Sequence, residues 1–122
     1  MTMTTSPRPT TITLHRASHV LEVGFDSGET FRLPAEYLRV HSPSAEVQGH
    51  GPGQRVLVAG KANVNIEAVE PIGNYAVLLR FDDGHATGLF SWDILYELGR
   101  DQTANWQSYV DALDAAKLKR ES

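Results

Sequence analysis

Between residues 73 and 92 the apolar and polar positions fall into three consecutive patterns. Tyr75, Val77, Leu79 and Phe81 alternate with Ala76, Leu78 and Arg80, which places the two sets on opposite faces of a strand. Most of both sets are apolar, so the pattern predicts a central strand covered on two sides. Asp83-Gly84 supplies residues that tolerate positive φ, as a tight two-residue hairpin turn requires. The return strand is expected from His85 to Phe90. Ser91 is a good helix N-cap, because its hydroxyl can accept a bond from an orphan backbone N–H. Ile94, Leu95 and Leu98 follow at helical spacing, and Gly99 is placed to end that helix in the left-handed conformation.

The chain before this stretch uses the same vocabulary. Thr10 to Leu14 alternates and is β-branched, predicting a first strand. His15 to Ser18 is a turn. Leu21, Val23 and Phe25 mark a second strand, Ser27-Gly28 a hairpin turn, and Phe31 and Leu33 a third strand. Pro34 fits the first turn of a short helix reaching about Val40, with Tyr37 and Leu38 inward. Phe25-Asp26-Ser27-Gly28 followed by Ala35 to Leu38 echoes Phe81-Asp82-Asp83-Gly84 followed by Trp92 to Leu95. The match covers few residues and reads as repeated use of one motif rather than as a duplicated unit. Met1 to Pro9, rich in Thr, Ser and Pro, is expected to be a disordered tail.

His41 to Gly53 is the least regular part, and Ser44 followed by Ala45-Glu46-Val47 suits a single capped helical turn within an ordered loop. Val64, Ile66 and Ala68 alternate as a further strand, which Pro71 and Gly73 are expected to break. Asp101 is placed to cap a final helix whose Trp106, Tyr109, Val110, Leu113 and Ala116 form one apolar stripe. The fold class that follows is α+β, with small antiparallel β-hairpins packed against short helices and a C-terminal helix. The expected organisation is a tail over 1–9, one domain over 10–118 and a tail over 119–122.

Composition narrows the function. The 122 residues fit one domain with a modest core. A net charge of −4 argues against electrostatic binding of a phosphate backbone. Lys117, Lys119 and Arg120 are the one basic cluster, and they are expected to complement a helix C-terminus. With no cysteine, disulfides, a thiolate nucleophile and thiolate-ligated metal sites within the chain are excluded. That composition is consistent with a cytoplasmic protein. No apolar run is long enough to span a bilayer, so no membrane association is expected.

Candidate chemistry is sparse. Gly51 to Lys61 resembles a phosphate loop only superficially. Arg55 stands where its first Gly belongs, and Ala62 replaces the Ser or Thr that would bind magnesium. Asp82 and Asp83 lie at a turn, and Ser42, Ser44 and Ser91 lack a nucleophile context. His41, His50 and His85 flank the irregular segment and the hairpin, so they are the candidate metal ligands should that segment fold back. His15 and His19 are four apart across a turn, not on one helix face.

Leu38 to His50, Pro71 to Ala76, Phe81 to His85 and Ser91-Trp92 together resemble the gamma-butyrobetaine hydroxylase N-terminal-like domain. The resemblance runs from about Thr10 to Leu113. It implies a small α+β domain, found alone in bacteria, fused to Mrp-type iron–sulfur cluster carrier ATPases, and placed before the catalytic part of carnitine-pathway dioxygenases. In those dioxygenases it implies a structural zinc site of three cysteines and one histidine. Here the cysteine positions fall on Ser42, Ser44 and Val47, and the histidine on His85. The dioxygenase-type zinc site is therefore expected to be absent, leaving zinc or iron only through a rebuilt set of histidines.

Three function classes follow. The first is a stand-alone, non-catalytic binding or adaptor module for a protein partner, with Arg39, Ser42, Ser44, Glu46, Asn74 and Asp83 as its binding surface. The second is a metal-binding accessory protein, in zinc or iron handling or iron–sulfur assembly. A small enzyme ranks last, since no catalytic constellation is found.

Overall fold

A computed structural model describes residues 7–42, 58–84 and 88–120. The expected tail over 1–9 and the segment from Ser44 to Gly53 fall largely or wholly outside these residues, as does His85. Among the described residues the elements in order are β1 (Pro9–His15), β2 (Val20–Phe25), β3 (Thr30–Pro34), α1 (Ala35–Val40), β4 (Ile66–Ile72), β5 (Ala76–Phe81), β6 (Gly88–Ser91), α2 (Trp92–Arg100) and α3 (Gln102–Ala115). The strands form two three-stranded antiparallel sheets, β1-β2-β3 and β4-β5-β6, so the α+β expectation holds.

The echo read in the sequence extends through a whole β-β-β-α unit. The first and second strands of each sheet share a register shift, between Pro9 and Thr11 in one and between Ile66 and Ala68 in the other. The turn aspartates do the same work. Asp26 Oδ1 accepts from the Arg8 N–H at 3.2 Å, and Asp82 Oδ1 from the Asn65 N–H at 3.0 Å. Each aspartate N–H donates back to the carbonyl of that same residue at 2.9 Å. Gly28 and Gly84 follow at φ 93° and 91°, a region where a side chain would be strained. The first N–H of each helix returns to the residue before the central strand, Ala35 to the His19 carbonyl (2.8 Å) and Trp92 to the Tyr75 carbonyl (3.1 Å).

One apolar cluster joins the two units. Leu21, Val23, Phe25 and Leu33 meet Ile66, Val77, Leu79, Phe81 and Phe90, and Leu38 and Leu95 close the core from the helices. Phe25, Phe31 and Tyr96 pack edge to face at 5.4–5.9 Å between centroids, pinning α2 on the first sheet. The stripe on α3 builds a second cluster, in which Tyr109 and Leu113 pack with Val40, Val58, Ala59, Trp106 and Val110. Ala116 lies beyond it, exposed.

Four local expectations need correction. Tyr75 is an exposed turn residue, and on the second face of β5 only Ala76 is fully covered, while Arg80 points to solvent and pairs with Glu70. Pro71 does not break β4, because β4 is an edge strand and an edge tolerates a missing N–H. Gly99 does not terminate α2 in the left-handed region. It lies within the helix, and its lack of a side chain admits the Phe31 ring. Asp101 gives α3 no side-chain cap, since its carboxylate holds Arg100 at 2.8 and 2.9 Å while α2 runs almost directly into α3.

Ser91 does cap α2, accepting from the Ile94 N–H at 3.2 Å. Ser91→Ala is expected to cost about 1 kcal/mol in urea unfolding. Gly99→Ala should cost more, about 1–3 kcal/mol, because a Cβ there overlaps Phe31. A Gly99→Ala variant as stable as the parent would refute that packing role.

Candidate functional site

α1 is six residues long and every one is buried, including Glu36 (6% exposed) and Arg39 (3%). Charges taken out of water must be paired. Three apart on a helix, these two share a side, while Tyr37 and Arg39 point oppositely. Arg39 Nε donates to Asp83 Oδ2 at 2.8 Å, and Lys61 Nζ approaches the same oxygen at 2.6 Å. Asp83 belongs to the β5–β6 turn of the second unit. Just beyond α1, Ser42 is fully buried against Gly88 at the start of β6, where an added Cβ would overlap its hydroxyl. The end of α1 is thereby fixed on the second hairpin, Arg39 by its pair with Asp83 and Ser42 by its contact with Gly88.

Other predicted residues go elsewhere. Asn74 lies at the opposite end of β5, where its carbonyl accepts from Trp92 Nε1 (2.7 Å) and Arg8 Nη2 (3.2 Å), bracing the turn. His41 places Nδ1 3.0 Å from the Tyr37 carbonyl, with its ring centroid 4.7 Å from Tyr37 and 6.1 Å from Tyr109. His15 pairs with Glu22 at 3.1 Å, and His19 Nδ1 meets the Val64 carbonyl at 3.0 Å. Ser44, Glu46, His50 and His85 lie outside the described residues. Among the described residues, no group of three or more His, Cys, Asp or Glu is placed to hold a metal ion.

Two participants were not anticipated. Lys61 appears in the sequence only as part of a failed phosphate loop, and no local spacing links it to Asp83. Arg120 was expected to complement a helix C-terminus. Instead its guanidinium grips Glu36 through Nε (2.9 Å) and Nη2 (2.8 Å), and its Cζ lies 5.1 Å from the centre of the Trp106 ring. The signal available in advance was Glu36 itself, a charge among the apolar residues of a short inward helix. The backbone carries Arg120 there: the N–H groups of Gly60 and Ala62 donate to the carbonyls of Lys119 and Arg120, each at 2.9 Å. Lys61 lies between those two anchors. Nearby, the Tyr109 hydroxyl donates to the Val58 carbonyl at 2.6 Å. Burial, then the charge of Glu36, pushes its pKa up to about 12, against a smaller opposing effect of Arg120.

The family model for the gamma-butyrobetaine hydroxylase-like N-terminal region matches residues 12–96. The chain belongs to that family. Two proteins of the same fold, solved by NMR in solution, are 49% and 52% identical to it. Their TM-scores are 0.84 and 0.82, covering 96% and 98% of this chain and 92% and 89% of theirs. A 1.93 Å crystal structure from Acidithiobacillus ferrooxidans ATCC 23270, of a protein of unknown function assigned to the DUF971 family, is 40% identical. Its TM-score is 0.65, over 75% of this chain and 92% of that one. No curated protein matches the chain. The resemblance implies a dioxygenase-type zinc set at Ser42, Ser44, Val47 and His85, of which only Ser42 lies among the described residues. Two neutral hydroxyls, an isopropyl group and one imidazole do not fit a structural zinc cage, which needs four strong donors. Ser42 packs its hydroxyl against Gly88 instead.

Asp83→Ala is expected to destabilise the fold by about 3 kcal/mol, because it leaves the buried Arg39 beside Lys61 without the carboxylate. Lys61→Ala should cost under about 1 kcal/mol, since that side chain is partly solvated. Equal losses in urea titrations would contradict this hierarchy. Tyr109 supplies a pH test. An unfolded tyrosine ionises near 10, so stability is kept below about pH 10 and falls as pH rises towards 12. Tyr109→Phe should flatten that fall; identical pH 9 to 11 losses in the two proteins would exclude the linkage.

Proposed function

We propose that this chain is a non-catalytic binding module that engages a protein partner through the end of α1 and the β5–β6 turn. The knot at Asp83 carries the reading. Two cations from separate segments hold one turn carboxylate, with Asp83 and Lys61 side chains 18% and 24% exposed. Charged groups so arranged hold one another in place and fix a surface. Among the described residues none of them forms a nucleophile with a general base, as proton-transfer chemistry requires. Ser44, Glu46 and His85 join this proposed surface on the sequence alone, as close chain neighbours of Ser42 and Asp83. An acidic chain favours a protein partner over nucleic acid, and the absence of cysteine supports a cytoplasmic role.

The second reading is a metal-binding accessory protein for zinc or iron. It draws on His41, whose Nδ1 donates to the Tyr37 carbonyl, the kind of hydrogen bond that orients a metal-ligating imidazole. His50 and His85 would have to complete the set.

One preparation tests both. Replacing Ser44, Glu46 and His85 by alanine should abolish capture of whichever protein the parent retains; an unchanged set of captured proteins would remove this surface from consideration. Titration of the parent with zinc and ferrous iron should leave its imidazole NMR signals without a common saturating response. Concerted, saturable shifts of His85 with His41 or His50 would replace the first reading with the second.

A further inference from the structure

A cleft of about 430 Å³ opens between α1 and α3, lined among others by Glu36, Tyr37, Gln102, Trp106, Gln107 and Arg120. Its two recognition groups belong to the fixed body of the fold. Glu36 is held by a wholly buried helix, and Trp106 is half-buried between the two apolar clusters. A buried carboxylate beside an indole face is what binds a flat cation, by paired hydrogen bonds at its edge and cation–π attraction at its face. The guanidinium that fills this role arrives on a different kind of segment. Residues 116–120 are all exposed, and the Arg120 side chain is itself 43% exposed. The family match ends at residue 96, so both α3 and Arg120 lie outside it.

We propose that the Glu36–Trp106 cleft is a binding site for a guanidinium group supplied from outside the chain, and that Arg120 is its resident competitor. The fork of Arg120 already defines the geometry: one carboxylate oxygen per N–H donor, at 2.8 and 2.9 Å, over the Trp106 ring. Gln102, Thr103 and Gln107 line further space beside it, which gives an incoming group an approach while Arg120 is still seated. A planar fork suits the site better than an ammonium, which offers a point charge without paired, coplanar donors. Because Arg120 is tethered, it competes at an effective concentration on the order of millimolar, so external binding is masked in the parent protein. The main-chain carbonyls of Lys119 and Arg120 accept from Gly60 and Ala62 on either side of Lys61, so the cleft and the Asp83 knot share this segment.

The test is a titration of ¹⁵N-labelled protein with N-acetyl-arginine N-methylamide, followed by NMR. Arg120→Ala should bind it at least about tenfold more tightly than the parent, with the Trp106 indole N–H shifting. The added change Glu36→Gln should abolish that gain, and the lysine analogue should bind more weakly. Free L-arginine binding as tightly would identify the shared guanidinium as sufficient. Free arginine binding alone would point to the amino acid rather than to a peptide side chain. Equal affinity in Arg120→Ala and parent, or retention in the double variant, would overturn the proposal. Should Arg120→Ala not fold, the parent decides: saturable shifts of the Gly60 and Ala62 amides with the Trp106 indole support the site, and their absence at high ligand concentration refutes it.

Discussion

The burial of α1 sets the terms for the rest of the molecule. A six-residue helix has little stability of its own, and this one carries a carboxylate and a guanidinium into the interior. Both must be met by partners that local sequence cannot provide. Arg39 finds Asp83, forty-four residues on, and Glu36 finds Arg120, eighty-four residues on. Each contact fixes a segment that would otherwise have few reasons to be where it is: the β5–β6 turn in one case, the chain after α3 in the other. Buried ion pairs of this kind add little net stability compared with apolar packing, but removing one partner is severe. Their effect here is to specify position.

The repeated unit explains why the contacts cross between halves. Arg39 is the fifth residue of α1, and it reaches the β5–β6 turn of the second unit. Tyr96 is the fifth residue of α2, and its hydroxyl reaches Glu29, in the β2–β3 turn of the first unit, at 2.8 Å. Each helix therefore clasps the hairpin of the other unit, with a charge pair on one side and an aromatic trio on the other. Leu38 and Leu95, the fourth residues of the two helices, are both fully buried. The second residues diverge. Glu36 is buried and Asp93 exposed, because α3 and Arg120 cover the first helix. What distinguishes the halves is the added C-terminal layer, and the cleft lies under that layer.

The strands, turns and Ser91 cap were legible because each is written locally: alternation, an Asp-Gly or Ser-Gly turn, a hydroxyl before a helical run. The pairing of Arg39 with Asp83 was not legible, because no local pattern relates a short helix to a turn forty-four residues on. Gly99 and Pro71 were misread because their local preferences, helix end and strand break, yielded to tertiary context: a ring pressed on a helix and a strand with one open edge. Lys61, Glu36 and Arg120 escaped for a different reason. Their partners lie 22 to 84 residues away, and no spacing rule reaches across that distance.

Glu36 and Arg39 lie one helical turn apart, and the segment after α3 touches the surroundings of both. It supplies Arg120 to the first and, through backbone bonds on either side of Lys61, steadies the cation that reaches Asp83 beside the second. The two carboxylates are therefore connected by a second route, through ion pairs and main-chain hydrogen bonds, that bypasses α1. That route is short, Gly60 to Ala62 on one side of the contact and Lys119-Arg120 on the other. The polar surface assigned to partner binding and the aromatic cleft thus share a mechanical element, the 117–120 segment, whose seating is set by the competition for Glu36.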